Sequence, residues 1–355
     1  MKRVTLKQVA SRAGVSYQTV SKVINHKVHI STEVEKRIWD TVTEMGYTPS
    51  YTARSLRIQR SRTIGYTWEP SPADQANPIL DQFLQSMFNT AEKRGYYLLC
   101  FPYLEPEKQL DMYRHLIDTG RVDAFVVSSL NYTDPNVALL CEREFPFVAF
   151  GRLDGSLIFP NIDVDGGLGI RMAVEHLLSL GHRKIATLAW PNNSRVGDNR
   201  IEGYFSAMQA ARIEVRPEWV ERGEGSYEVG LRATTTLLAL PETTRPTAIV
   251  AMNDLMAIGA MAAIRNIGLS PGKDIAVTGF DDTPTARFLN PPLTSLRQPV
   301  WEIGQHLMER LITYLETGHY PDPFEELVAP ELVVRTSSTG IEMDRVLIEK
   351  GELYR

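Results

Sequence analysis

Apolar positions near the amino terminus recur at helical spacing. Leu6, Val9, Ala10 and Ala13 form one stripe, and after Gly14 it resumes with Val20, Val23 and Ile24. Thr5 and Gln8 have the spacing of a capping box, Gly14 supplies a permissive helix end, and Ser16 is placed to cap a second helix. A third stripe, Val34, Ile38, Val42 and Met45, lies between a start at Ser31 or Thr32, with Glu35 completing a box with Thr32, and a stop at Gly46. From Thr63 the rhythm changes to short β-rich runs alternating with longer amphipathic stretches. Strands are predicted at Ile64–Trp68, Tyr97–Pro102, Ala124–Ser128, Phe147–Phe150, Lys184–Trp190, Ala248–Ala251 and Ile275–Phe280, with helices such as Ile79–Arg94, Gly167–Leu180, Asn199–Arg212 and Leu255–Ile267. AFVVSS and KIATLAW are continuously apolar rather than alternating, as strands buried on both faces of a parallel sheet must be. There are more strands than one sheet needs, so two sheets in two subdomains with a cleft between them are expected. Ligands of such sheets bind beyond the carboxyl ends of the strands.

The first two helices, joined by a tight turn, make a helix-turn-helix unit whose second helix fits a DNA major groove. Tyr17, Gln18, Ser21 and Lys22 lie on its polar side, with donors and acceptors suited to base edges. Charge supports this placement although the whole chain carries −5. Residues 1–62 hold 12 Lys and Arg against 4 Asp and Glu, a balance of +8, while the remainder holds 26 against 39, a balance of −13. Phosphate contacts need that segregation, and the acidic body leaves one docking face for DNA. Between these parts, Thr48–Arg62 carries Ala53, Leu56 and four arginines, a short helix expected to order on DNA with Leu56 as a minor-groove wedge.

VTLKQVASRAGVSYQTVSKVIN, the third helix, the Ala53–Leu56 hinge and the α/β body together resemble the LacI/GalR (lactose-repressor) family of bacterial transcription regulators, from Val4 to about Ser337. The resemblance implies an all-α helix-turn-helix headpiece (1–48), a hinge (49–62) and an α/β periplasmic-binding-protein-like (type I) effector domain of two doubly wound subdomains (63–337), followed by a loosely held tail (338–355). It also implies three chain passages between subdomains, near Ile162–Val164, Leu293–Gln298 and Phe324–Glu326. The first subdomain would then take about 63–162 and 296–324, and the second about 163–295 and 325–337. The implied DNA contacts are Thr5, Leu6, Ser16, Tyr17, Gln18, Ser21, Lys22, Asn25, His29, Ala53 and Leu56. The implied effector contacts are Trp68, Glu69, Arg152, Trp190, Arg200, Asn253, Asp281 and Gln298, with Arg200 at the start of a helix. Aromatic faces beside Arg, Asn and Asp suit a polyhydroxylated ring, so a sugar or oligosaccharide is the expected effector and a nucleobase the alternative. The implied protein is a homodimeric repressor on a near-palindromic operator, with a carbohydrate-binding receptor without regulatory DNA binding as the other alternative.

Two positions depart from the family pattern. The usual Val-Asp-Asn reads Val164-Asp165-Gly166, and Lys22 stands where Arg is common, lacking the rigid fork that reads guanine. Other chemistries find no support. Cys100 and Cys141 are too few for a disulfide framework, no His or Cys spacing fits a metal, His176 and His182 belong to an ordinary LGHRKI stretch, and neither a phosphate loop nor a nucleophile triad occurs. No cofactor and no enzymatic activity are expected. The amino terminus lacks an apolar signal core and no 18-residue apolar run exists, so a cytoplasmic protein is expected rather than a secreted sugar receptor.

Overall fold

Side-chain caps set the first helices. The N–H of Thr5 donates to Gln8 Oε1 at 2.8 Å and the N–H of Gln8 donates to Thr5 Oγ1 at 3.4 Å, so α1 (Leu6–Ala13) opens with a reciprocal capping box. It ends at Gly14, whose φ of 64° is left-handed backbone that a side chain would strain. α2 (Tyr17–Ile24) follows Ser16, whose Oγ accepts the Thr19 N–H at 3.1 Å. α3 (Thr32–Glu44) corrects one expectation. Thr32 is already helical and Ser31 takes the cap position without a side-chain bond, so the Thr32–Glu35 box does not form. The Val34 and Glu35 amides bond the Ser31 carbonyl instead, at 3.0 and 3.1 Å. Val9, Ala10, Ala13, Val20, Val23 and Ile38 are buried together, with Val34, Val42 and Met45 half-buried against them.

The computed structural model describes residues 4–24, 30–47, 60–68, 77–103, 105–155 and 157–340. The expected contacts Asn25, His29, Ala53, Leu56 and Glu69 lie outside the described residues. The chain divides into two compact units, Met1–Ser61 and Arg62–Arg355.

The second unit alternates strand and helix: β1 (Thr63–Trp68), α4 (Pro78–Lys93), β2 (Tyr97–Pro102), α5 (Pro106–Asp118), β3 (Ala124–Val127), α6 (Pro135–Glu142), β4 (Phe147–Phe150), β5 (Asn161–Val164) and α7 (Gly166–Ser179). It continues with β6 (Ile185–Ala189), α8 (Arg195–Ala210), β7 (Val220–Arg222), α9 (Tyr227–Leu238), β8 (Ala248–Ala251), α10 (Asp254–Asn266) and β9 (Ala276–Asp281). Then come β10 (Thr294–Arg297), α11 (Val300–Thr317), β11 (Glu325–Val328), β12 (Glu331–Val333) and α12 (Thr336–Thr339). One six-stranded sheet runs β11-β5-β4-β3-β1-β2, all parallel, and the other runs β12-β10-β9-β8-β6-β7 with only β12 antiparallel. Every residue of β3, β6 and β8 is buried, which is why these runs show no alternation in polarity.

Four differences from the sequence expectation matter. β5, β7 and β10–β12 are additional strands, too short or too polar to stand out by periodicity. α8 begins four residues early, because Ser194 accepts the Gly197 N–H at 3.2 Å as its cap; Arg200 therefore lies in the second turn rather than at the helix start. β11 pairs in parallel with β5, from Glu325 with Asn161 to Val328 with Val164, so it belongs to the first sheet. The third passage thus falls at Ala329–Pro330 instead of near Phe324–Glu326. Last, the chain stays anchored past 337: Ser338 is buried and its Oγ meets Thr294 Oγ1 at 2.7 Å.

Candidate effector cleft and nucleic-acid interface

In the headpiece, burial of Val20 and Val23 turns the opposite side of α2 outward. Tyr17 is 49% exposed, Gln18, Lys22 and Ser16 are exposed, and Ser21 is half-buried. Thr5 is exposed at the head of α1, although its side chain is engaged in the capping box, and Leu6 is half-buried against the core. The exposed α2 side chains offer hydroxyl, amide and ammonium groups.

In the body, strand ends bring five of the expected residues into one set. The Arg200 guanidinium lies 3.7 Å from the centroid of Phe280 and 4.9 Å from that of Trp190, held between the two rings. Its Nη1 donates to the Met252 carbonyl. Asn253 caps α10, accepting the Met256 N–H at 2.9 Å, while its Nδ2 donates to the Gly225 carbonyl at 2.8 Å. Gln298 Nε2 donates to Asp281 Oδ1 at 2.6 Å. Trp190 Nε1 and Arg200 Nε are buried with no hydrogen-bond partner among the described residues.

Gly166 explains part of this arrangement. A Cβ there would stand 2.9 Å from Arg200 Cγ and 3.2 Å from Nε, so a side chain at 166 would press on the buried arginine where it lies. Arg200 is only 4% exposed, and burial pulls its guanidinium below the ordinary arginine value, opposed by the charges of Asp281, Asp163 and Asp254.

Asp254, beside the Asn253 cap, builds the turn that carries Asp281. Its Oδ2 accepts the N–H and the hydroxyl of Thr283 at 2.7 and 2.9 Å; its Oδ1 accepts Ser295 Oγ at 2.6 Å, and that same Oγ accepts the Asp282 N–H at 3.0 Å. Asp281 and Asp282 have φ of 116° and 49°, two successive side-chain-bearing residues in left-handed backbone. Burial, reinforced by the charge of Asp281, raises the Asp254 carboxyl to about 7. Burial raises Asp281 to about 6 against the pull of Arg200 and the Gln298 hydrogen bond. Asp282 pairs with Arg297 at 2.7 Å and Arg335 at 2.6 Å.

Arg152 belongs to a second set. Its Nε lies 3.2 Å from Asp163 Oδ2, beside Arg195, and it lines a cavity of about 290 Å³ with Tyr132, Asp154, Arg195, Asp198 and Glu202. Trp68 joins neither set of contacts; it ends β1, 42% exposed, its carbonyl accepting the Tyr103 N–H at 2.9 Å. Sequence reasoning missed Phe280, Thr283, Ser295, Asp163 and Arg195. Asn253 and Asp281 marked the first of these places, but nothing local announced the partners.

His176 and His182 are structural. His176 Nε2 meets Ser338 Oγ at 2.8 Å, His182 Nδ1 meets Thr247 Oγ1 at 2.9 Å, and burial lowers both imidazoles. No cluster of three metal-ligating side chains occurs among the described residues, and none of their helices is long and apolar enough to cross a membrane.

Known proteins agree with this architecture. Residues 5–50 match the profile of bacterial regulatory proteins of the lacI family, and residues 174–338 match a periplasmic binding protein-like domain. The HTH-type transcriptional repressor PurR of Proteus mirabilis is 32% identical over 342 residues, covering 94% of this chain and 96% of its own. A LacI-family regulatory protein from Chloroflexus aggregans is 49% identical with a TM-score of 0.75, over 78% of this chain and 98% of its own. The lac repressor dimer bound to operator and the anti-inducer ONPF is 30% identical with a TM-score of 0.83, over 95% and 99% of the two chains. The transcriptional regulator CelR in complex with cellobiose is 29% identical with a TM-score of 0.71, over 94% and 100%. A helix-turn-helix headpiece joined to a two-sheet ligand-binding body, with full-length relatives of the same design, makes this chain a transcriptional repressor of the LacI family.

Proposed function

We infer that this repressor acts in the cytoplasm as a homodimer on a near-palindromic operator and is controlled by a sugar or oligosaccharide held between the two α/β lobes. The observation that carries the effector reading is the Trp190–Arg200–Phe280 stack beside Asn253, Asp281 and Gln298, with two buried N–H donors left to meet a ligand. Buried donors are almost always satisfied, and a ring bearing several hydroxyls supplies acceptors for Trp190 Nε1 and Arg200 Nε and donors for Asp281 together. Indole faces suit the apolar face of a sugar ring. Among the similar structures, CelR holds cellobiose, a ligand of this class.

On DNA, Gln18 and Ser21 read base edges from α2, Lys22 contacts guanine or phosphate as a point charge, and Tyr17 and Ser16 position the helix on the backbone. Thr5 and Leu6 set the approach of α1, while Asn25 and His29 beside α2, and Ala53 and Leu56 in the hinge, complete the interface by sequence. Trp68, Glu69 and Arg152 serve the outer part of the effector site.

A thermal-shift screen with cellobiose, ribose, other sugars and nucleobases tests the effector class. A ligand at 100 times its dissociation constant stabilises by about 2.7 kcal/mol. Stabilisation by nucleobases alone would replace the sugar reading, and operator selection from random duplexes with no enriched sequence would overturn the DNA reading.

A further inference from the structure

Five polar contacts cross from one lobe to the other at one place, and all converge on the start of α8. Arg195 Nε donates to Asp154 Oδ1 at 2.9 Å, and its Nη1 donates to Asp163 Oδ2 at 3.3 Å. The Arg195 backbone N–H donates to Asn131 Oδ1 at 3.0 Å, and Asn131 Nδ2 donates to the Asn193 carbonyl at 3.0 Å. The Tyr132 hydroxyl donates to Asp198 Oδ2 at 2.6 Å. Asn131, Tyr132, Asp154 and Asp163 come from β5 and from the loops after β3 and β4, all in the first sheet's lobe, whereas α8 packs beside α7 in the other.

Burial separates the Arg195–Asp163 pair from ordinary surface pairs. Arg195 is 6% exposed and Asp163 8%, so their attraction is little screened by solvent. Asp163 is also held by Arg152, and its Oδ1 accepts the Val164 N–H at 2.9 Å, which keeps the carboxylate satisfied if Arg195 lets go. Buried ion pairs are a poor source of net stability and a better source of geometric definition, because each partner tolerates only one arrangement. Chain passages between the lobes follow Val164, Arg297 and Val328.

We propose that Arg195 is the positioning residue of an interlobe latch, in which Arg195, Asp154 and Asp163, assisted by Tyr132 and Asp198, set the angle between the lobes and thereby the shape of the effector cleft. The latch rests on the reading of that cleft as the effector site only for its regulatory meaning; its mechanical role is independent. Arg195 need not touch the effector. It acts through Asp163, which it shares with Arg152, and both arginines line the same cavity, so a ligand polar group entering there competes with or completes the latch.

The test uses the full chain with Cys100 and Cys141 replaced by alanine and nitroxide labels at Glu107→Cys and Glu228→Cys, one exposed site on each lobe. Electron-electron double resonance reads the distance between them. Arg195→Ala is expected to lengthen and broaden the distribution by more than about 2 Å, the scale that separates domain rearrangement from rotamer change. Tyr132→Phe removes one hydroxyl from a residue that is 37% exposed and is expected to shift the distribution the same way by less. Tyr132→Phe with Asp198→Asn should do no more than either alone, because one contact is lost in each case. Wild-type distributions in both Arg195→Ala and Tyr132→Phe, with cooperative melting retained, overturn the latch; if Arg195→Ala fails to fold, Asp154→Asn and Tyr132→Phe decide it. Because no ligand or operator enters this measurement, failure of the sugar screen leaves the result standing, and the converse also holds.

Discussion

Ser295 donates its hydroxyl to Asp254 at 2.6 Å while accepting the N–H of Asp282, so one buried carboxylate reaches through one side chain to fix the turn that carries Asp281. Asp254 also holds Thr283 through two bonds, and it is only 1% exposed. Removing it leaves several buried donors unmatched, each costing about 1–3 kcal/mol. Asp254→Ala is therefore expected to destabilise the body by about 3 kcal/mol in urea denaturation, and Asp254→Asn, which keeps an acceptor for Thr283, by clearly less. Equal effects of the two would show that packing rather than this hydrogen-bond relay holds the turn.

The same pair of carboxylates predicts how stability depends on pH. Burial pushes the Asp254 and Asp281 carboxyls up to about 7 and about 6, above the ordinary carboxylate range of the unfolded chain. Between those ranges the folded state binds more protons, so this pair favours folding as pH falls from about 8 towards 5. Melting temperature should rise over that interval. Asp254→Asn or Asp281→Asn should flatten the rise, and an unchanged slope in both would assign it elsewhere.

Gly166→Asn restores the family's usual residue and is expected to be harmful here. The added Cβ meets Arg200 at 2.9 Å, and Arg200 has two rings and a carbonyl around it that leave little freedom to move. Overpacking of this kind costs about 1–3 kcal/mol. Gly166→Ala should lose a similar amount, and indole fluorescence should report the shift of Arg200 against Trp190. Full stability with unaltered fluorescence would show that the neighbours relax freely.

On the headpiece, Gln18→Ala should reduce preference for a selected operator over random duplex by about 1–3 kcal/mol with an unchanged salt slope, since the amide reads bases. Lys22→Ala should weaken binding to both and lower that slope by about 1 if its main role is phosphate contact. Fluorescence anisotropy at several salt concentrations separates the two outcomes.

Local chemistry was enough to place the first two headpiece helices, because their ends are set by neighbours in sequence: Thr5 with Gln8, Gly14, Ser16 with Thr19. Fully buried strands such as Ala124–Val127 and Ala248–Ala251 were legible for the same reason, as unbroken apolar runs. The polar strands β5 and β11 were not, since β11 is fixed by pairing with β5, more than 150 residues away along the chain, and β5 is too short to show a period. Trp190, Arg200, Asn253, Asp281 and Gln298 could be named one at a time from the sequence, yet it took folding to set Arg200 between Trp190 and Phe280 and to reveal Gly166 as the space it occupies. The latch partners Arg195 and Asp163 lie in different lobes and carry no local signature at all. Residue type and short-range spacing determined which elements form and which chemistry is available; long-range packing alone decided which charges face one another, because burial and pairing are properties of distance in space, not along the chain.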